Sequence, residues 1–79
     1  MKMELNRYHV VLEAEPEVGG FSVYVPALPG CASQGETERE ALENIKEAIS
    51  VHLEGLLKDG MPIPKNHEVT TKEVEVARA

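Results

Sequence analysis

Apolar and polar positions change period once along this chain. Over residues 7–14, R-Y-H-V-V-L-E-A, they alternate. Tyr8, Val10, Leu12 and Ala14 share one face, and His9, Val11 and Glu13 the other, the pattern of a strand. Residues 21–25 alternate again, with Phe21, Val23 and Val25 on one side and Ser22 and Tyr24 on the other. The intervening E-P-E-V-G-G, with Pro16 and a glycine pair, reads as a hairpin loop. From residue 38 the spacing switches to threes and fours. Ala41, Leu42, Ile45, Ala48, Ile49, Leu53, Leu56 and Leu57 form the stripe of an amphipathic helix that runs to about Lys58. Such a helix is about 30 Å long, enough to cross a small sheet. Two strands that each pair an apolar face with a mixed one predict a sheet covered on one side only.

The stretch between the two regimes, P-A-L-P-G-C-A-S-Q-G-E-T-E-R-E-A from Pro26 to Ala41, organises the chain. Pro26 and Pro29 fix φ and remove backbone donors, so a regular central strand cannot pass through them. Gly30 and Gly35 mark turns expected to need positive φ. A-S-Q predicts a short third antiparallel strand. Thr37 and Glu40 make a capping box: the hydroxyl accepts from the N3 amide, and the carboxylate reaches back to the cap amide. Glu36, Glu38 and Glu40 also set negative charge against the positive end of the helix. At the other end Lys58 suits the last turn, Gly60 is the expected C′ residue and Pro62 follows. Residues 61–66 read as an extended connector. The final run, H-E-V-T-T-K-E-V-E-V-A, reads as a last strand, with Val74 and Val76 on one face and Val69 on the other; the strand either starts after Val69 or carries a bulge. The expected order is β-β-β-α-β: an α+β fold, one helix packed on a small, mainly antiparallel sheet, in a single domain of residues 1–79. The uncovered face would carry His9, Val11, Ser22 and Tyr24, with Val11 and Tyr24 as natural contacts for another chain.

Composition narrows the function. Seventy-nine residues give one small core, and ordering costs of about 1.5 kcal/mol per residue nearly cancel what its burial provides. Self-association, as a homodimer or homotetramer, would relieve that balance. The net charge of −6, from thirteen Glu and one Asp against eight Lys and Arg, argues against direct nucleic-acid binding, which needs a basic face to displace counterions. It suits a basic partner instead. The single cysteine, Cys31, excludes an internal disulfide and reads as a small buried apolar side chain. The N-terminal M-K-M-E-L-N-R has no apolar run, and no stretch approaches the roughly 18 apolar residues of a membrane span, so a cytoplasmic protein is expected.

Catalytic chemistry is not encoded in any recognisable spacing. His9, His52 and His67 lie on three different elements, and none is linked to Cys31 or to a serine as a nucleophile needs a base. His52 falls on the apolar side of the helix as a packed histidine. Glu40, Glu43, Glu47 and Glu54 lie opposite the apolar stripe as a solvated ridge, eased by Glu43–Lys46 and Glu54–Lys58 pairs. No phosphate loop is present. Catalytic, cofactor and metal residues are therefore expected to be none, and the chain is read as a binding module and not an enzyme.

The ordered series G-G-F-S-V-Y-V-P, L-P-G-C-A-S-Q-G-E-T-E-R-E-A and G-M-P-I-P, from about Tyr8 to Pro64, resembles the HicB antitoxin family. The family's pattern falls on Gly20, Phe21, Pro26, Leu28, Pro29, Gly30, Cys31, Gly35, Thr37, Glu40 and Ala41, most of them turn, cap or core positions. The resemblance implies a partial ribonuclease-H-like fold without the nuclease's active site. It also implies a partner: a small basic HicA-like toxin, an mRNA-cleaving ribonuclease with a double-stranded-RNA-binding-domain fold and a catalytic histidine. The chain would neutralise it by covering its RNA-binding or active site. Two departures stand out. The family often has an aspartate where this chain has Ala27. Full-length members also carry a C-terminal DNA-binding domain, whereas this sequence stops after the expected last strand, so by itself it is not expected to repress an operon.

Three functions remain open at this stage. One is an antitoxin-like module, with Tyr24, Glu36 and Glu40 as its partner-binding residues. Another is an orphan structural or regulatory homo-oligomer with no toxin. The third is a cryptic metal-dependent nuclease built on the glutamates, which inward-facing, clustered carboxylates would favour and a solvent-facing ridge would oppose.

Overall fold

The computed structural model describes residues 5–66 and 68–79. Three strands, β1 (Val11–Ala14), β2 (Phe21–Tyr24) and β3 (Ala32–Gly35), precede one helix, α1 (Glu38–Lys58). The sheet is antiparallel in the order β1-β2-β3. Its register sets Leu12 opposite Val23 and Val11 opposite Tyr24, and then Val23 opposite Ser33 and Tyr24 opposite Ala32. Directly opposed residues share a face. One face therefore carries Leu12, Phe21, Val23 and Gly35 beneath α1, and the other carries Val11, Ser22, Tyr24, Ala32 and Gln34. The expected faces of the first two strands are borne out, except that Ala14 is exposed at the end of β1.

The link from β2 to β3 is two tight turns in series. Leu28 N donates to Val25 O and Cys31 N to Leu28 O, each at 3.0 Å, while Val25 N donates to Cys31 O at 3.0 Å and closes the loop. Pro26 and Pro29 occupy the second position of each turn, where a φ near −65° is required and the missing donor costs nothing. Gly30, at φ +85°, takes the third position of the second turn, where an L side chain would be strained. This loop drives Leu28, fully buried at 0% exposure, into the core beside Val23, Val25, Cys31, Ala41 and Ile45. Ala27 is buried with it.

Gly35 departs from its expected role. Its φ is not positive. It lies in β3 under the first turn of α1, where an added Cβ would stand 2.8 Å from Glu40 C and 2.9 Å from Ala41 Cα and would collide with Ala41 N. The glycine lets helix and sheet backbones touch; it does not make a turn.

The helix runs over the expected residues. Thr37 Oγ1 accepts from Glu40 N at 3.1 Å. Glu40 reaches back one residue further than the capping box predicts: its Oε1 accepts from Glu36 N at 3.3 Å. At the C-terminus Gly60, at φ +70°, donates to Leu57 O at 3.1 Å, and Met61 N donates to Leu56 O at 2.8 Å, the paired bonds of a Schellman close. Ala41 and Ile45 are buried, Leu42, Ala48, Ile49, Leu53 and Leu56 are half-buried, and Leu57 is exposed. The acidic ridge faces solvent. Among the described residues its ion pair is Arg39 Nε–Glu43 Oε1 at 3.9 Å, not the two pairs expected; on so exposed a face such pairs contribute about 0–1 kcal/mol and do not dictate rotamers.

Two expected strands are corrected. The first was expected over residues 7–14 but pairs only from Val11, because β2 turns away at Val25 and leaves residues 7–10 no partner across the sheet. The last is not formed: residues 68–79 carry neither helix nor strand and are exposed throughout. A strand exists by its neighbour's hydrogen bonds, and among the described residues none pairs with this run. His67, at the start of that expected strand, and residues 1–4 of the N-terminal stretch read for a leader lie outside the described residues. Connector residues do return to the sheet. Tyr8 Oη donates to Pro64 O at 2.7 Å, and His9 N donates to Asn66 Oδ1 at 2.9 Å. The chain thus leaves the helix and arrives beside the start of β1.

Candidate partner-binding surface

The three residues expected to bind a partner fall in two places. Glu36 and Glu40 are brought together at the start of α1 by the Glu36 N–Glu40 Oε1 bond. Both are exposed. They line an open groove of about 610 Å³ between the helix start and the β1–β2 loop. Glu15, on that loop, contributes a third carboxylate to the same groove, and Ser22, Gln34 and Asn44 line it too. Tyr24 lies elsewhere. It pairs with Ala32, at the end of β2 remote from the Phe21–Gly35 pair beside the helix start, about 10 Å along the strand. It is 43% exposed on the open sheet face. Ser22 and Gln34 share that face and join the two places into one surface.

Local structure explains why these groups sit here. The hairpin closes with Glu15 N donating to Gly20 O at 2.9 Å and Gly19 N to Glu15 O at 2.8 Å, which plants Glu15 at the loop base. Asn44 Nδ2 donates to Gln34 O at 2.7 Å and ties the helix to β3. Sequence reasoning passed over Glu15 because its distance along the chain from Glu36 hides an adjacency made only by the antiparallel pairing of β1 and β3 with β2.

The surface can exert an electrostatic pull and supply hydrogen-bond acceptors. Among the described residues no three His, Cys, Asp or Glu side chains group as a metal site requires, and the ridge carboxylates point to water. Cys31 is buried, and desolvation pushes its thiol pKa up, the opposite of what an activated nucleophile needs. His52 is half-buried and lines an open depression with Cys31 and Asn44. Among the described residues no helix is long and apolar enough to cross a membrane.

Comparison with known proteins agrees with this architecture. A family model described as a HicB-like antitoxin of bacterial toxin–antitoxin systems matches residues 8–77. A UPF0150 protein of Synechocystis is 44% identical over 62 residues, covering 78% of this chain and 77% of that one. A UPF0150 protein of Thermoplasma acidophilum is 48% identical over 59 residues, covering 75% and 86%. Antitoxin HicB 1 of Photorhabdus laumondii is 37% identical over 70 residues, which span 89% of this chain but only 44% of that protein. Among solved structures, a chain of a HicA3 and HicB3 toxin–antitoxin complex superposes with a TM-score of 0.59 at 35% identity, covering 72% of this chain and 64% of that one. With a family model matched over nearly its whole length and several close relatives, this chain belongs to the HicB-like antitoxin family.

Proposed function

We propose that residues 1–79 act as one antitoxin domain that binds a small basic HicA-like ribonuclease toxin and covers its RNA-binding or active site. The similarity to a chain of a HicA3–HicB3 complex carries this reading. The acidic groove supports it: Glu15, Glu36 and Glu40 line one opening, and the chain's net charge is −6. Opposite charge speeds encounter and selects partners more than it raises affinity. Tyr24, exposed on the adjoining face, supplies a rigid aromatic contact of the kind that anchors interfaces. On this reading the protein works by occlusion, as a binding module and not as a catalyst.

The test uses the full chain and any small basic HicA-like toxin found encoded in the same genome. Glu36→Gln with Glu40→Gln removes two charges while keeping an acceptor at the helix start. Affinity should fall about tenfold at low salt, and its dependence on salt should flatten, because screening acts on the charges that were removed. Tyr24→Ala should speed dissociation. Unchanged binding in both variants removes this surface from the interface. Failure of the protein to bind any such toxin moves the weight to the other reading, a homo-oligomer of the same fold with no toxin partner.

A further inference from the structure

The outer edge of β3 is only partly closed by the chain itself. Bonds in an antiparallel ladder alternate, so every second residue of an edge strand turns its N–H and C=O outward. Val25 N donates to Cys31 O at 3.0 Å, which directs Cys31 toward β2. In the register Val23–Ser33 and Phe21–Gly35, Ser33 and Gly35 point the same way, and Ala32 and Gln34 face out. Asn44 agrees with this phase: its Nδ2 reaches down from α1 and donates to Gln34 O at 2.7 Å. Three outward groups are left, the N–H and C=O of Ala32 and the N–H of Gln34. Among the described residues no strand or turn bonds them, and both residues are exposed. Such an edge is a template for another strand.

A groove runs along this edge beneath α1. The opening at the helix start, with Glu15, Glu36 and Glu40, and a depression of about 520 Å³ further along, with Glu47, Val51 and His52, share Asn44 as a wall. Among the described residues four carboxylates line this path and no Lys or Arg does. The groove beside β1 differs. It holds Arg7 and Lys46, and the connector already bonds there, where Tyr8 Oη donates to Pro64 O and His9 N to Asn66 Oδ1. Charge therefore selects the occupant of the β3 edge. A second copy would bring another net charge of −6 and the same four carboxylates. The chain's own last segment departs from the far edge, two strand spacings or about 10 Å away, and its residues 68–79 set three Glu against Lys72 and Arg78. An extended basic segment of another protein satisfies both the open ladder and the carboxylates.

On the antitoxin reading above, we propose that the basic toxin pairs a Lys- or Arg-bearing extended segment with the outer edge of β3, as a fourth strand of the sheet. Ala32 gives one backbone hydrogen bond and takes one, and Gln34 N–H donates a third. Asn44 keeps Gln34 O, so pairing stops there and the segment passes on toward Glu36 and Glu40. Side chains alternate along the added strand. The one opposite Ser33 points beneath α1, where Glu47 lines the groove and meets its cation. Main-chain bonds supply affinity, and alternate side chains supply specificity.

Amide hydrogen exchange of the 15N-labelled full chain tests this, alone and with any small basic HicA-like toxin found encoded in the same genome. Alone, the Ala32 and Gln34 amides should exchange faster than those of Ser33 and Gly35, which lie in the ladder. With toxin they should slow at least tenfold, and NOEs should join them to the toxin's main chain. Gln34→Pro removes the outward N–H without breaking a bond to β2 and should weaken toxin binding at least tenfold. Gln34→Ala keeps that N–H and should lose less than threefold. So should Ala14→Pro, which removes an outward donor from β1, since Glu15 at the next position bonds across the hairpin. Slow Ala32 and Gln34 amides without toxin would mean that a second copy or the chain's own tail holds the edge, and would overturn the proposal. A toxin that binds while these amides exchange as before would overturn it too, with the antitoxin reading left standing. A genome with no toxin that binds would remove both.

Discussion

Gly35→Ala puts a methyl group where two backbones meet. The new Cβ would lie 2.8 Å from Glu40 C and 2.9 Å from Ala41 Cα, about 0.6 Å or more inside ordinary carbon contact. No side chain can rotate away, so the first turn of α1 must lift. Ala41 and Ile45, both buried on the sheet through that turn, lift with it, and a gap of about 0.5–1 Å forfeits a quarter to a half of a contact's attraction. Overpacking of this kind costs about 3 kcal/mol, less up to about 1 kcal/mol returned by the stiffer unfolded chain. The net, about 2–3 kcal/mol, should lower Tm by about 10–20 °C in a domain of this size. Gly55→Ala is the internal control. It makes the same chemical change in the exposed last third of α1, where an added Cβ meets nothing within 4 Å, and should stabilise by about 0.5–1 kcal/mol through helix propensity alone. Both are read by thermal and urea unfolding at one protomer concentration, since any self-association makes Tm concentration-dependent. A Gly35→Ala protein that melts within a few degrees of wild type would refute the claim that this glycine sets the helix–sheet distance.

Leu28→Ala should cost about 2–5 kcal/mol, because Leu28 is fully buried at the tip of the double turn; unfolding by urea measures it, and a loss below about 1 kcal/mol would mean that the loop is not seated in the core. Cys31 predicts a pH effect. Burial raises its thiol pKa, so folding favours the protonated form. Its contribution is complete below the ordinary thiol value of about 8.5 and is lost as pH rises through the folded value. The urea midpoint of the wild type should therefore fall between pH 8 and 10 more than that of Cys31→Ala, and parallel curves would count against the assignment.

The strand–strand–strand–helix order was legible because each element carries its own local signal. Alternation marks β1 and β2, the two prolines and Gly30 mark the turns, and Thr37, Glu40 and Gly60 bracket the helix. Half of the candidate surface was legible for the same reason: Glu36 and Glu40 belong to one cap. Glu15 was not, since only strand pairing brings it to them. Gly35 was assigned the wrong job because a glycine's need for positive φ and its need for close approach look alike in a sequence.

By itself the sequence determined the periods, the caps, the turns and the family, all set by interactions within a few residues or by a pattern held along the chain. Tertiary structure alone decided what depends on a neighbour. The sheet register made Val11, Tyr24 and Ala32 one face. The lean of α1 toward β3 left the edge of β1 open. Among the described residues the last alternating run pairs with no strand, because periodicity states which side of a strand is apolar, while pairing requires a second edge within hydrogen-bonding reach.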